Sequence, residues 1–239
     1  MKERLDIALA KRGITETRSK AQQLIKGGYV VVDGKVCKKS GFMIEENSII
    51  EIKDSPFIYV GRAGVKLKHA IEYFKLDIKN SICLDIGAST GGFSDCMLKE
   101  NALKVYAVDV GVNQLHKSLR EDNRVVLFEN TDIRDFKVDI LFDFIAVDVS
   151  FISLSHILPH IKRLIKKGGY AVVLIKPQFE VGPNMVKKGI VKNKKAIQLA
   201  TENIKSQCNA LGFDILGITE SPILGKDGNR EFLICCFKK

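Results

Sequence analysis

The feature that most restricts the possible folds of this chain is a strand that runs through a glycine-rich turn into a helix at residues 83–94 (CLDIGASTGGFS). Its glycines, Gly87, Gly91 and Gly92, allow backbone N–H groups to approach a ligand closely, and the start of the helix adds further donors. This layout is typical of a loop that holds a nucleotide, and the spacing of its residues decides between ligands.

The spacing excludes two phosphate-binding motifs. A GxxxxGK[ST] loop needs lysine after Gly92, where the chain has Phe93, and a GxGxxG loop needs glycine where the chain has Ser89. Asp85, at the end of the first strand, would repel a pyrophosphate but suits the cationic amino-acid end of S-adenosylmethionine. We therefore predict a site for this methyl donor. Its predicted residues are Asp85, Gly87, Ser89, Gly91, Gly92 and Phe93.

Two later acids extend the predicted donor site. Asp109 ends the next strand, roughly twenty residues on, where the analogous acid of dinucleotide folds accepts hydrogen bonds from both ribose hydroxyls. Asp132 follows the third strand and is a weaker candidate for the adenine amino group, because acids at that point are as often turn residues.

Strands and helices alternate from residue 82 onward, which predicts an α/β fold with a mostly parallel, Rossmann-like sheet and helices on both faces. The last two strands are separated only by residues 220–230. We expect them to form an antiparallel pair at one edge, which distinguishes a methyltransferase sheet from a dinucleotide-binding one. The predicted strands are 82–85, 105–109, 125–128, 144–148, 170–175, 214–219 and 231–237, and the main helices begin at residue 92 or span 154–165 and 195–211.

The charge of the chain points to an anionic partner. Lysine and arginine number 38 against 28 acids among 239 residues, for a net charge of +10, which favours nucleic acid first and an acidic membrane surface second. The first residues lack the apolar core of a signal peptide, and no apolar run approaches the roughly 20 residues of a membrane span, so we expect a cytoplasmic protein. Six cysteines without a CxxC pair predict buried reduced thiols and indicate no metal site.

A small basic α+β unit begins the chain. Residues 1–40 carry ten basic and four acidic side chains. Apolar spacing predicts a helix over 3–12 and a second helix capped by Thr17, followed by a hairpin that turns at Asp33 and Gly34 and by a strand over 48–53.

This unit, residues 2–53, resembles the S4 RNA-binding domain, named after a ribosomal protein. The matching segments are RLD at 4–6, TRSKA at 17–21, LI at 24–25, GYV at 28–30 and VDGK at 32–35. In that family the two helices present a basic face to folded RNA. The resemblance implies that Arg4, Arg18, Lys20 and Lys35 contact phosphates, which position a protein without reading bases. The alternative is that these are ordinary solvated charges.

A polar segment that ends in proline, KDSP at 53–56, predicts a hinge. We accordingly expect an S4-like domain at 1–54, a linker at 55–61 and a methyltransferase domain at 62–239.

Polar residues at strand ends are the candidates for chemistry, because ligands of such sheets bind beyond the carboxyl ends of the strands. Asp148 and Lys176 join Asp85 and Asp109 in this position. The Asn-Pro-Pro-aromatic tetrad of amine methylation is missing after the fourth strand, and no cysteine occupies a strand-end loop to act as a nucleophile. Methylation of oxygen remains. A ribose 2′-hydroxyl must lose its proton as it attacks. A lysine can accept that proton only if burial or another cation nearby lowers its pKa, while carboxylates hold the ammonium groups in place.

The whole chain resembles the TlyA family, in which an S4 domain is fused to an FtsJ-like ribose 2′-O-methyltransferase domain. The matching segments are GRAGVKL at 61–67, DIGASTGGF at 85–93, VDVSFISL at 147–154, IKPQFE at 175–180 and GNREF at 228–232. A departure is Ala63, where family sequences commonly carry glycine, which affects only local backbone freedom. The catalytic Lys-Asp-Lys-Glu group of that family maps onto Lys66, Asp148, Lys176 and Glu231.

The resemblance implies S-adenosylmethionine as the methyl donor and cytidine ribose in ribosomal RNA as the acceptor, with Arg62 among the RNA-binding residues and a monomeric protein. The short start and end of the chain are similar to the shorter family variant, which implies large-subunit RNA. Two other functions stay open at this point. One is a non-catalytic RNA-binding or ribosome-assembly factor, and the other is a membrane-active protein, as the hemolysin name of some members suggests.

Overall fold

Two compact units make up the part of the chain that the structure describes. The computed structural model describes residues 2–15, 17–52 and 59–239, and the gap after residue 52 separates the first unit from the second. The predicted hinge at 53–56 and residues 55–58 of the predicted linker lie outside the described residues. The predicted domain boundaries therefore stay predictions.

In the first unit, two helices pack against small antiparallel sheets. Thr17 caps the second helix by accepting a hydrogen bond from the backbone N–H of Lys20, and Gly28 ends it in the left-handed conformation (φ 81°). Asp33 and Gly34 form the predicted hairpin turn, with φ values of 47° and 80°. The elements are β1 (Lys2–Arg4), α1 (Leu5–Lys11), α2 (Arg18–Gly27), β2 (Val30–Val32), β3 (Lys35–Cys37), β4 (Met43–Glu45) and β5 (Ile50–Ile52).

The start of the first unit differs from the sequence prediction. The helix expected over 3–12 begins only at Leu5, because β1 pairs with β4 in an antiparallel ladder from Lys2 opposite Glu45 to Arg4 opposite Met43. A three-residue strand is too short for alternation to show in the sequence. The central strand β2 pairs with β3 and β5 and packs its valines against the helices.

The second unit is a seven-stranded sheet with helices on both faces. Its strand order is β11-β12-β10-β9-β6-β7-β8, and β12 runs antiparallel to both of its neighbours, as predicted. The elements are α3 (Ala63–Phe74), β6 (Ile82–Ile86), α4 (Gly92–Lys99), β7 (Lys104–Val108), α5 (Lys117–Arg120), β8 (Val125–Phe128), β9 (Phe142–Val147), α6 (Leu158–Leu164), β10 (Ile165–Ile175), α7 (Pro177–Glu180), α8 (Lys194–Ala210), β11 (Phe213–Glu220) and β12 (Phe232–Lys238).

The helix expected over 154–165 is divided. A 3₁₀ turn at Leu154–His156 precedes α6, which has Pro159 in its first turn, and residue 165 already belongs to β10. Proline is tolerated only in the first turn of a helix, so it marks the new start.

The carboxyl ends of the four strands β6, β7, β9 and β10 lie together along one edge of the sheet, where the strands end, and not along an outermost strand. Ile86 lies opposite both Val108 and Val147, and Ile175 lies opposite Phe232. Because β12 is antiparallel, its first residues reach the same edge as the carboxyl ends of β6, β7, β9 and β10. Among the described residues, no helix is long and apolar enough to cross a membrane.

Candidate active site

Two ion pairs, one buried and one partly buried, lie at this edge of the sheet. Lys66 Nζ lies 2.6 Å from Glu231 Oε2, with side chains 7% and 3% exposed. Lys176 Nζ lies 2.6 Å from Asp148 Oδ1 and donates to Ser150 Oγ at 2.7 Å. Lys66 and Glu231 are hydrogen-bonded to each other, so this buried pair holds its lysine in a fixed position. The contact of Lys176 with Asp148 Oδ1 lacks hydrogen-bond geometry, and the hydrogen bond to Ser150 orients that lysine.

The four members of these pairs come from distant parts of the chain. Lys66 lies in the first turns of α3, Asp148 and Lys176 follow β9 and β10, and Glu231 precedes β12. Lys66 and Glu231 are separated by 165 positions in sequence. The structure thus brings together, two by two, the four residues that the sequence predicts to be catalytic.

The loop after β9 is tied to the loop after β10 by a residue that the sequence analysis did not single out. Glu180 accepts hydrogen bonds from Ser153 Oγ at 2.7 Å and from the Leu154 backbone N–H at 2.9 Å. Two residues before Ser153, Phe151 adopts a left-handed backbone (φ 64°) that is strained for a bulky residue. Both loops lie in motifs quoted above, but those motifs carried no signal for this contact.

The glycine-rich turn leaves no room for side chains. A Cβ on Gly87, whose φ is +83°, would lie 2.5 Å from the backbone oxygen of Asp148, and a Cβ on Gly92 would lie 2.9 Å from the backbone nitrogen of Gly64. The turn therefore packs against backbone on both sides, as a close cradle requires. Phe93 is buried behind it.

A cavity of about 180 Å³ opens beside this turn, and the Lys176–Asp148 ion pair lines it. Ala63 also lines it. A second cavity of about 510 Å³ shares Gly87, Ser89 and Asp148 with the first.

Asp85 lies beneath the turn and has no exposed surface. Its Oδ2 accepts a hydrogen bond from Ser94 Oγ at 2.6 Å, whereas its Oδ1 has no partner among the described residues. Burial raises the pKa of Asp85 to about 7, and the hydrogen bond from Ser94 opposes that shift.

Asp109 lines the larger cavity and uses both oxygens. Oδ2 accepts from the Ser89 N–H at 2.7 Å, and Oδ1 accepts from the Gly111 N–H at 2.6 Å. Asp132 lines the same cavity, and the guanidinium of Arg134 holds the pKa of its carboxyl below the usual range. Asp109 thereby joins its own loop to the glycine-rich turn, whereas Arg134 engages both oxygens of Asp132 with two hydrogen bonds each.

Four residues predicted to bind RNA lie in the first unit. Arg4 and Arg18 both donate to the buried carboxylate of Asp6, at 3.0 and 2.9 Å, and their side chains stay 43% and 53% exposed. Lys35 is exposed on β3, and Lys20 is half-buried in α2. The anchoring role of Asp6 escaped the sequence analysis, although Asp6 belongs to the RLD segment.

Arg62, the fifth predicted RNA contact, lies in the second unit. Its Nη2 donates to the backbone oxygen of Leu224 at 3.2 Å. Within the described residues, no cluster of three or more histidine, cysteine or acidic side chains is placed to hold a metal ion. The cysteines are free thiols, and burial raises the pKa of Cys96 to about 12.

Comparison with known proteins gives matches over both units. The profile of FtsJ-like methyltransferases matches residues 59–238, and that of the S4 domain matches residues 3–50. The chain is 40% identical over 248 residues to the 23S rRNA (cytidine-2′-O)-methyltransferase TlyA of Campylobacter jejuni, covering 96% of this chain and 97% of the relative. It is 35% identical over 236 residues to the 16S/23S rRNA (cytidine-2′-O)-methyltransferase TlyA of Mycobacterium tuberculosis, covering 97% and 88%.

A solved structure is also similar over the full chain. A protein provisionally named as a hemolysin, from Streptococcus thermophilus, superposes with a TM-score of 0.76 at 40% identity, covering 100% of this chain and 89% of that one.

Proposed function

The chain belongs to the TlyA family of FtsJ-like methyltransferases, and on that premise we propose that it methylates a ribose 2′-hydroxyl of ribosomal RNA with S-adenosylmethionine as donor. The observation that carries the proposal is the presence of two lysine–carboxylate pairs at the carboxyl ends of the strands, one of which lines a cavity beside the glycine-rich turn. The acceptor nucleotide of the proposal is a cytidine of large-subunit RNA, because the names of both relatives specify cytidine and 23S RNA.

The residues of the second unit fit this donor. We assign the cationic end of the donor to the unpartnered oxygen of Asp85, which is fully buried and lines neither of the two cavities, whereas Gly87 lines both. We assign the ribose hydroxyls of the donor to Asp109 and its adenine amino group to Asp132, which both line the larger cavity. The remaining proposed donor contacts are Ser89, Gly91, Gly92 and Phe93.

Bound S-adenosylmethionine supplies an electrophilic methyl group on a sulfonium. The protein supplies the groups that hold the acceptor and move its proton. We assign Lys176 to orient the 2′-hydroxyl, since Asp148 and Ser150 hold its side-chain nitrogen at 2.6 and 2.7 Å. To receive the hydroxyl proton, Lys176 must act as the neutral amine, and it becomes an ammonium as the hydroxyl oxygen bonds the methyl group and the bond from that group to the donor sulfur breaks. Lys66 and Glu231 shape the site for the acceptor ribose, because their ion pair fixes two polar groups at the same edge.

Two regions of the protein provide the proposed RNA contacts. In the first unit these are Arg4, Arg18, Lys20 and Lys35, and in the second unit Arg62. A basic S4 unit binds phosphates without reading sequence, so it would deliver the RNA and leave the choice of nucleotide to its shape. Ribosomal RNA as substrate also implies a cytoplasmic protein.

The test is transfer of labelled methyl groups to ribosomal subunits from cells that lack the protein. We expect Lys176→Ala to lower the transfer rate by about 10²–10⁴-fold while donor and RNA affinities stay near wild type. Lys166→Ala is the matched control, because it breaks an ion pair of the same 2.6 Å length with Asp143 at the other end of β10. Undiminished transfer by Lys176→Ala would remove the assigned role.

The same assay separates the enzyme from a non-catalytic assembly factor. A wild-type protein that bound ribosomal RNA and transferred no methyl group under any donor concentration would be such a factor. Mapping the methyl group on RNA from cells with and without the protein would identify the nucleotide.

A further inference from the structure

A cluster of lysines in the second unit belongs to none of the donor-binding, catalytic or RNA-binding residues proposed above. Residues 187–195 (KKGIVKNKK) contain five lysines and no acid. All five are exposed, and among the described residues none of them makes an ion pair. We refer to this segment as the lysine hairpin. Its lysines are Lys187, Lys188, Lys192, Lys194 and Lys195.

The lysine hairpin has a defined backbone. Lys187 and Ile190 exchange two backbone hydrogen bonds of 3.0 Å, and the turn between them uses left-handed conformations at Lys188 (φ 50°) and Gly189 (φ 78°). This is the arrangement of a tight two-residue hairpin, so Lys187 and Lys188 are presented on an ordered turn.

One buried side chain ties the lysine hairpin to the active-site edge. Asn229, which is 1% exposed, donates to the Gly189 backbone oxygen at 2.8 Å and accepts from the Val191 N–H at 3.0 Å. Asn229 lies two residues before Glu231, a member of one buried ion pair. The turn is thereby fixed to the same short segment that supplies a proposed catalytic residue.

Apolar packing places the second half of the lysine hairpin at the same edge. Val191, Ala196 and Ile197 form a small buried cluster with Phe232, the first residue of β12. Because Phe232 lies opposite Ile175 in the sheet, this cluster lies next to the strand end that precedes Lys176.

The charges at the start of α8 oppose the helix dipole. Lys194 and Lys195 occupy the first turn of this 17-residue helix, and that turn contains no acid. Cations at a helix N-terminus are unfavourable by roughly 0.3–1 kcal/mol each. The first turn therefore adds positive potential to that of the hairpin lysines, and an anion bound there would relieve the repulsion.

We infer that the lysine hairpin binds phosphates of the RNA strand whose ribose enters the active site. This rests on the proposed function, because it takes ribosomal RNA as the partner. Lysine is a compact charge that contacts phosphate without bidentate geometry, so the lysine hairpin positions the RNA backbone and reads no base. It is a second RNA surface, carried by the methyltransferase unit and separate from the basic face of the S4 unit.

The test compares two triple variants of equal charge change. The first carries Lys187→Gln, Lys188→Gln and Lys192→Gln. The control carries Lys79→Gln, Lys137→Gln and Lys167→Gln, three exposed lysines that precede β6, precede β9 or lie in the first half of β10, at the opposite edge of the sheet. Equilibrium binding to purified ribosomal subunits from cells lacking the protein is measured over a range of KCl concentrations, and methyl transfer is measured in parallel.

We expect the hairpin variant to bind subunits about tenfold more weakly at about 0.1 M KCl and to lose about 2–3 from the slope of log Kd against log salt. Its KM should rise by a similar factor with kcat unchanged, and the control should match wild type in each quantity. An unchanged affinity and salt slope would overturn the inference, as would equal losses in both variants.

Failure of the proposed function would give a different result from failure of the inference about the lysine hairpin. If wild-type protein transferred no methyl group, the binding measurement would still decide whether the lysine hairpin holds RNA. Vesicles of phosphatidylserine and phosphatidylcholine form the last arm. Loss of vesicle binding in the hairpin variant, with subunit binding intact, would assign the patch to membranes and contradict the inference.

Discussion

Among the described residues, each unit contains one fully buried aspartate, and the two have opposite hydrogen-bonding environments. Asp6 in the first unit accepts hydrogen bonds from Arg4, Arg18 and Gln22, at 2.8 to 3.0 Å. These donors, Arg4 foremost, hold the pKa of Asp6 well below its usual range. The carboxylate is therefore charged, satisfied and structural.

Asp85 in the second unit has one donor, Ser94, and an oxygen without a partner among the described residues. Burial raises its pKa to about 7. In the part of the chain that the structure describes, two arginines pair with Asp6 and no cation pairs with Asp85. An acid that the fold fully satisfies holds structure together, whereas one that is buried and left incomplete is suited to receive a ligand.

The largest effect is expected from replacing Asp6, the aspartate whose carboxylate is fully hydrogen-bonded. Asp6→Ala leaves two arginines and a glutamine without their shared acceptor, so we expect a loss of about 3 kcal/mol in the unfolding free energy of the first unit. Because the pKa of folded Asp6 is lowered, its contribution is fully present above about pH 4 and lost as pH falls through the folded pKa. Chemical denaturation at pH values from 7 to 2 measures both the loss in unfolding free energy and its dependence on pH.

Glu45→Ala is the control for Asp6→Ala. Glu45 pairs with Lys2 at 3.5 Å on the surface, and its side chain is 52% exposed, so its loss should cost less than about 0.5 kcal/mol. Equal costs for the two variants would contradict the structural role of Asp6.

The second prediction compares Gly34 and Gly87, one glycine from each unit, because their backbone φ angles are nearly the same. Gly34 (φ +80°) has open space around a Cβ, whereas a Cβ on Gly87 (φ +83°) would meet the Asp148 backbone oxygen at 2.5 Å. Both alanine variants carry about 1 kcal/mol of backbone strain. Only Gly87→Ala must also displace the loop of Asp148, so we expect a total cost of about 2 kcal/mol and donor affinity at least tenfold weaker.

Calorimetric titration with the donor measures the affinity of both glycine variants, and thermal unfolding measures their loss of stability. Gly34→Ala should keep wild-type donor affinity. Equal donor affinities for the two variants would mean that the turn at Gly87 takes no part in the donor site.

The smallest effect concerns the incomplete acid. If ionised Asp85 receives the cationic end of the donor, affinity should rise about fivefold to tenfold from pH 6 to pH 7.5, since the charged fraction grows through a pKa of about 7. Asp85→Asn should flatten this profile. Ser94→Ala should move its midpoint upward, because the hydrogen bond from Ser94 opposes the shift in pKa.

The pH dependence of folding stability tests the raised pKa of Asp85 independently of donor binding. Its folded pKa is raised, so its contribution to folding is fully present below about pH 4 and is lost as pH rises through about 7. The donor-free wild type should therefore lose stability relative to Asp85→Asn between pH 5 and pH 8. Wild-type profiles of affinity and relative stability that are both flat would contradict the perturbed acid.

The sequence by itself determined the local elements and the residue types at strand ends. Thr17 as a cap, the turn at Asp33 and Gly34 and the final antiparallel strands follow from short-range rules, and the structure confirms them. The glycine spacing and the acids at 85 and 109 pointed to a methyl-donor loop for the same reason. These signals are local because backbone propensity and side-chain periodicity act over a few residues.

Only the tertiary structure decided which charges meet. Lys66 joins Glu231 across 165 positions, Glu180 ties the two strand-end loops, and Asn229 fixes the lysine hairpin to the segment of Glu231. Asp6 and Asp85 are both aspartates flanked by apolar residues, and nothing in their local sequence separates them. Whether a buried carboxylate is satisfied depends on donors brought from other elements, and that follows from packing rather than from neighbours in sequence.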